Sequence, residues 1–102
     1  MKINFSKESV LYVPDFEYNK TYLEDMEKFA NDRLKCRGYL FVNDVLDMLG
    51  IKPIKRGQLD GWVWDDLDPL MQSKVKFRIK IENGEIILNL NEEKDILNYV
   101  FN

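Results

Sequence analysis

The stretch that decides the fold is Val75-Lys-Phe-Arg-Ile-Lys-Ile-Glu-Asn-Gly-Glu-Ile-Ile-Leu-Asn-Leu90. Apolar and charged side chains alternate along its first half, which is the period of a half-buried strand. Asn83-Gly84 favours a two-residue type I′ turn, because both turn positions need a positive φ. The pattern therefore predicts a β-hairpin whose apolar side chains share one face. Its expected cross-strand pairs are Ile81 with Ile86, Ile79 with Leu88, and Phe77 with Leu90.

The opposite face of the first strand carries four cations, Lys74, Lys76, Arg78 and Lys80, which we call the basic strip. Such a strip suits a phosphate group or an acidic protein surface. It equally suits a solvated sheet face, or an edge strand that lysines protect from aggregation. On the second strand, Ile87 falls on this outer face and is a candidate dimer contact.

Length and composition indicate one packed domain spanning residues 1–102, since 45% of the residues are hydrophobic and 32% are charged. The net charge of −3 argues against a dedicated nucleic-acid binder, which usually has a basic balance. No run approaches the roughly 18 apolar residues of a membrane span. The N-terminal residues lack the apolar core of a signal peptide, and the single cysteine, Cys36, fits a reducing cytoplasm.

The chain contains no histidine. This excludes Ser-His-Asp and Cys-His catalysis and every zinc site that uses histidine. One cysteine cannot build a four-cysteine zinc site either. We therefore expect a protein that is not an enzyme and that uses no cofactor and no metal.

The long helix is predicted from Glu17 to Lys35, where apolar residues recur at spacings of three and four. Arg37-Gly38 supplies a plausible stop. The shorter predicted elements are one or two strands in residues 2–13, a helix from Asn43 or Asp44 to Leu49, a strand at Trp62–Trp64, and a helical segment from Lys94 to Phe101.

These elements predict an α+β fold. We expect a small antiparallel sheet that contains both the tryptophan strand and the C-terminal hairpin. It would pack against the long helix, with one or two short helices beside it.

Three motifs lie in the middle of the chain, Arg37-Gly-Tyr-Leu-Phe-Val-Asn-Asp44, Met48-Leu-Gly50 and Gly57-Gln-Leu-Asp-Gly-Trp-Val-Trp64. As a set they resemble a family of small uncharacterised proteins from prophage and mobile-element regions of Gram-positive bacteria. The resemblance covers about residues 22–100. The family often carries Val-Asp-Phe-Gly where this chain has Val75-Lys-Phe-Arg78. The resemblance implies an accessory protein of a mobile element and implies no catalytic mechanism.

The candidate binding surface combines the family-like cluster, the tryptophan pair and the hairpin cations. Tryptophans are frequent interface anchors, but they suit core packing equally well. A buried arginine or asparagine needs partners, and Asp44 or Asp47 could supply them in a purely structural network. The candidate residues are Arg37, Tyr39, Asn43, Trp62, Trp64, Lys76, Arg78 and Lys80.

These observations lead to a non-enzymatic accessory protein that binds an unidentified protein partner, with self-association as a variant. One alternative is an inhibitor of a host nucleic-acid-binding defence system that mimics phosphates with an acidic surface. Another is a nucleic-acid accessory factor that uses the basic strip. The carboxylates of the acidic alternative are Glu24, Asp25, Glu27, Asp65, Asp66 and Asp68.

Overall fold

The computed structural model describes residues 1–67, 74–91 and 94–101. Helices and two small antiparallel sheets make up the fold, so the predicted α+β class is confirmed. In chain order the elements are β1 (Lys2–Asn4), α1 (Phe5–Glu8), α2 (Phe16–Arg37), β2 (Tyr39–Phe41), α3 (Val42–Met48), β3 (Asp60–Val63), β4 (Phe77–Glu82), β5 (Glu85–Leu90), β6 (Lys94–Asp95) and α4 (Leu97–Phe101).

The long helix α2 matches its prediction and is slightly longer at both ends. Asp15 caps its start, because the carboxylate accepts a hydrogen bond from the Tyr18 N–H at 3.2 Å. Gly38 ends it in the left-handed conformation with φ +86°, and its N–H donates to the Leu34 carbonyl. The helix is therefore held at both termini by the signals its sequence contains.

The hairpin of β4 and β5 forms in the predicted register, with Ile81 opposite Ile86, Ile79 opposite Leu88 and Phe77 opposite Leu90. Asn83 and Gly84 have φ values of 52° and 76°, as the predicted turn requires. β1 adds to the other side of β5, so the first sheet has the strand order β1-β5-β4.

The expectation of a single sheet that joins the tryptophan strand to the hairpin is wrong. β3, which contains Trp62, pairs with β2 and β6 in a second sheet of order β2-β3-β6. The physical reason is that β1 pairs along β5 on one side of the hairpin, and α2 binds the backbone at the start of β4 on the other side. The short extended run after α2 meanwhile gives β3 a partner that is close in sequence, with Leu40 opposite Trp62.

The prediction of one or two strands in residues 2–13 is confirmed, with the single strand β1. Asn4 ends that strand by capping α1: its side chain accepts a hydrogen bond from the Lys7 N–H, and its own N–H donates to Glu8. The β-prone run that follows lies outside any strand, and Val10 is 86% exposed. The cap at Asn4 thus limits the N-terminal strand to three residues.

The predicted terminal helical segment is also shorter than expected. Lys94 and Asp95 form β6, opposite Gly61 and Asp60, and the helix begins only at Leu97.

The core lies between the two sheets and the helices α2 and α3, as one continuous cluster of buried side chains. α2 contributes Leu23, Ala30 and Leu34; α3 contributes Val42, Val45 and Leu46; the sheets contribute Ile3, Leu40, Trp62, Ile86, Leu88 and Leu90.

The expectation that Ile87 is available for a dimer contact is wrong, because it is only 5% exposed. Ile87 does lie on the outer face of the hairpin, in the central strand of the first sheet. Lys2 on β1 and Glu82 on β4 form an ion pair at 3.2 Å, so their side chains meet across β5 on that face.

Replacing Gly61 by Ala should destabilise the protein more than replacing Gly84. A Cβ at Gly61 would lie 2.1 Å from the Leu40 carbonyl oxygen, so β2 and β3 would have to separate. A Cβ at Gly84 meets nothing within 4 Å, and the cost there is only that of a positive φ. We expect losses of about 3 and about 1 kcal/mol in the free energy of unfolding, measured by urea denaturation. Equal losses would contradict the close approach of these strands.

Candidate functional site

The structure divides the predicted surface residues between two places. Arg37, Tyr39, Asn43, Trp62 and Trp64 lie in or beside the second sheet and α3. The basic strip lies on and just before β4, in the first sheet.

Arg37 and Tyr39 form a compact polar cluster at the end of α2. The Arg37 guanidinium lies 4.6 Å from the centre of the Tyr39 ring and 3.5 Å from the Asp44 carboxylate. The same carboxylate accepts a hydrogen bond from the Phe41 N–H at 2.9 Å, at the start of α3. The cluster joins α2, β2 and α3, as the structural interpretation of the motif predicts.

Asn43 holds the loop that follows α3. Its side-chain amide donates to the Ile54 carbonyl at 3.0 Å and accepts from the Ile54 N–H at 2.9 Å. A Cβ on Gly57 would lie 2.0 Å from the Asn43 amide oxygen, so only glycine leaves room for this contact. Asn43 and Gly57, two family-like positions, therefore act together on loop structure.

The two tryptophans have different environments. Trp62 is 4% exposed and belongs to the core, and its indole N–H has no hydrogen-bond partner within the described part of the chain. Trp64 is partly buried against the same core, and its indole N–H donates to Asp66. The Lys35 ammonium lies 5.9 Å from the Trp64 ring centre. Neither ring forms an open stacking platform.

The basic strip is the exposed part of the predicted surface. Lys76, Arg78 and Lys80 are exposed, whereas Lys74 is half-buried. Across residues 1–67, 74–91 and 94–101, no carboxylate forms an ion pair with any of these four cations. The loop after α3 carries two further exposed cations, Lys52 and Lys55, and its turn at Arg56–Gln58 packs on α3 and β3.

A cleft of about 600 Å³ runs between α2 and the start of β4. Lys28 and Asp32 of α2 line one wall, and Lys76 and Arg78 line the other. The cleft is therefore lined by charged side chains of both signs, which suits a peptide better than a small apolar molecule.

Sequence reasoning missed the two residues that form the floor of this cleft. The Asn31 side chain donates to the Val75 carbonyl at 2.9 Å and accepts from the Val75 N–H at 2.8 Å. One turn earlier, the Glu27 carboxylate accepts from the Phe77 N–H at 2.6 Å. From the sequence, Glu27 was considered only as part of an acidic surface, and the spacing of four between Glu27 and Asn31 was the one sign that they share a helix face.

The six carboxylates of the acidic alternative do not act as one free group. Glu27 is bound to β4, Asp66 accepts from Trp64, and Glu24 lies 3.9 Å from the Lys20 ammonium. Asp68 lies outside the described residues.

Tyr22 fixes α2 against α3, away from the basic strip. Its hydroxyl donates a hydrogen bond to the Met48 carbonyl. Burial raises the pKa of the Tyr22 phenol above its ordinary value of 10.0, and the nearby Tyr18 raises it further. This tyrosine therefore stays protonated at neutral pH and keeps its hydrogen bond.

Together these features define a small α+β protein with a cationic strand edge beside a cleft. The chain belongs to a family of unknown function, DUF6353, which it matches over residues 4–100. Comparison with curated proteins found no match, and comparison with solved structures found none either. None of the helices in the described residues is both long enough and apolar enough to cross a membrane.

Replacing Asn31 by Ala should lower the free energy of unfolding by about 1–3 kcal/mol, because it leaves the Val75 N–H and carbonyl without partners. The matched control is Asp32→Ala, an exposed neighbour on the same helix, which should change stability by no more than about 0.5 kcal/mol. Chemical denaturation of both variants checks this. Equal effects would contradict the role of Asn31 in joining α2 to β4.

Proposed function

We propose that this protein is a non-enzymatic accessory protein of a phage or mobile element in a Gram-positive bacterium. It acts in the cytoplasm by binding another protein. The similarity of its motifs at Arg37–Asp44 and Gly57–Trp64 to mobile-element proteins supports the biological setting. The single cysteine and the absence of histidine support the location and the lack of catalysis.

The observation that carries the proposal is the set of exposed cations on β4. Lys76, Arg78 and Lys80 are held next to a cleft by α2, and no described carboxylate neutralises them. Desolvated charge pairs at an interface give specificity and fast association. The surface therefore suits an acidic protein partner, whose carboxylates would complete these pairs.

A nucleic acid is the second candidate, and the same three cations favour it. Against it stands the net charge of −3, since dedicated nucleic-acid binders usually have a basic balance. The acidic-surface inhibitor has less support, since four of its six carboxylates, those of Glu24, Glu27, Asp65 and Asp66, already have partners within the described residues.

An affinity pulldown from host lysate, treated with nuclease, tests the proposal. The bait is the wild-type protein, and the test variant is Arg78→Glu with Lys80→Glu. Its matched control, Lys52→Glu with Lys55→Glu, reverses two exposed cations in the loop after α3. We expect the wild type and the control to retain one protein partner after nuclease, and the test variant to lose it.

Two results would contradict this expectation. Capture that disappears with nuclease would assign the strip to a nucleic acid, and binding would then weaken steeply with salt. Equal capture by both double variants would show that the partner binds elsewhere on the protein.

A further inference from the structure

The outer edge of β4 has no neighbouring strand within the described residues, because β4 is the last strand in the order β1-β5-β4. In an antiparallel pair, successive residues direct their backbone groups alternately toward the neighbouring strand and away from it. The Lys76 carbonyl accepts from the Asn91 N–H, on the β5 side. Residues 76, 78, 80 and 82 therefore face β5, and the backbone groups of Val75, Phe77, Ile79 and Ile81 point outward.

α2 occupies only the first half of this edge. Asn31 takes both backbone groups of Val75, and Glu27 takes the Phe77 N–H. The outward N–H and carbonyl groups of Ile79 and Ile81 find no partner within the described part of the chain. An exposed edge of this kind is the template on which another strand pairs.

We propose that this open edge binds an extended, acidic segment of the partner protein as a fourth strand of the first sheet. The inference rests on the proposed function and names the partner chemistry of the same surface.

The side chains beside the open groups specify that segment. On the outer face, Arg78 and Lys80 flank Ile79 and have no described ion-pair partner, so an added strand gains from carboxylates opposite them. On the inner face, Ile79 is partly buried against the core and Ile81 is 52% exposed. An apolar side chain of the added strand would cover Ile81. Alternating acidic and apolar residues therefore fit this edge.

Acidic residues of the added strand are favoured at only two positions, those opposite Arg78 and Lys80. Glu27 stands at one end of the open edge, bound to the Phe77 N–H, and Glu82 stands at the other. Both carboxylates repel an acidic residue placed beyond Arg78 or Lys80. The charges along the edge thus set the register of the added strand as well as its composition.

A second copy of β4 is a poorer occupant. The register that pairs the open groups of both copies sets Ile79 opposite Ile81 and brings the two Lys80 side chains opposite each other. It also sets Glu82 opposite Arg78 of the other copy, where the new pair competes with the ion pair between Glu82 and Lys2. Like charges directly opposite each other destabilise a strand pair.

The test uses the full chain and a capped synthetic peptide with the length of an ordinary strand, about six residues, in which three Val alternate with two Glu and, at the remaining outer position, one Thr. We expect binding by isothermal titration calorimetry, with NMR shift changes at Ile79 and Ile81. The Arg78→Glu, Lys80→Glu variant should bind about tenfold more weakly. A peptide that alternates Lys and Val should not bind.

N-methylated peptides separate strand addition from simple charge attraction without altering the protein. Only one alternating set of peptide N–H groups can face β4. N-methylation of the peptide groups that face β4 should abolish binding. N-methylation of the groups that point away from β4 should leave binding intact. Equal binding of the two methylated peptides, or shift changes away from β4, would overturn the proposal. So would a β4-mediated dimer in analytical ultracentrifugation that excludes the peptide.

The two proposals fail in different ways. If the pulldown depends on Arg78 and Lys80 but the peptide does not bind, the strand-addition inference is wrong and the protein-binding function stands. If both double variants capture the partner equally, the proposed function of this surface is wrong whatever the peptide does.

Discussion

The arrangement of α2 and the first sheet depends on the two hydrogen bonds between the Asn31 side chain and the Val75 backbone. These bonds join the two largest elements of the fold through one planar amide that satisfies a donor and an acceptor together. They also set where the chain enters β4, and so which half of that strand's edge α2 covers. The cleft, the exposed cations and the open edge all follow from this placement.

The elements that could be read from the sequence are those whose signals are local. The hairpin contains its own turn residues, Asn83 and Gly84, and its own alternation of apolar and charged side chains. Its register therefore follows without knowledge of the rest of the fold. α2 likewise carries its cap at Asp15 and its stop at Gly38. The Arg37–Asp44 contact was also within reach, since a part-buried cation next to a short helix needs a nearby carboxylate.

The features that could not be predicted depend on contacts between distant parts of the chain. Strand propensity does not say which strand pairs with which, so the separation of Trp62 from the hairpin could not be foreseen. Ile87 lies in a central strand because β1, from the other end of the chain, pairs with β5, and the local sequence does not indicate that pairing. For the candidate site, the cations of β4 were visible as a pattern. The role of Asn31 was not, because an asparagine on a helix flank has the same sequence signature whether or not it binds a strand.

Amide hydrogen exchange along β4, followed by NMR, tests most directly the claim that α2 covers one half of this edge and leaves the other open. The account predicts slow exchange at Val75 and Phe77, which donate to α2, and at Lys80, which faces β5. It predicts fast exchange at Ile79 and Ile81. Protection of Ile79 and Ile81 equal to that of Lys80 would contradict the open edge and the binding mode built on it.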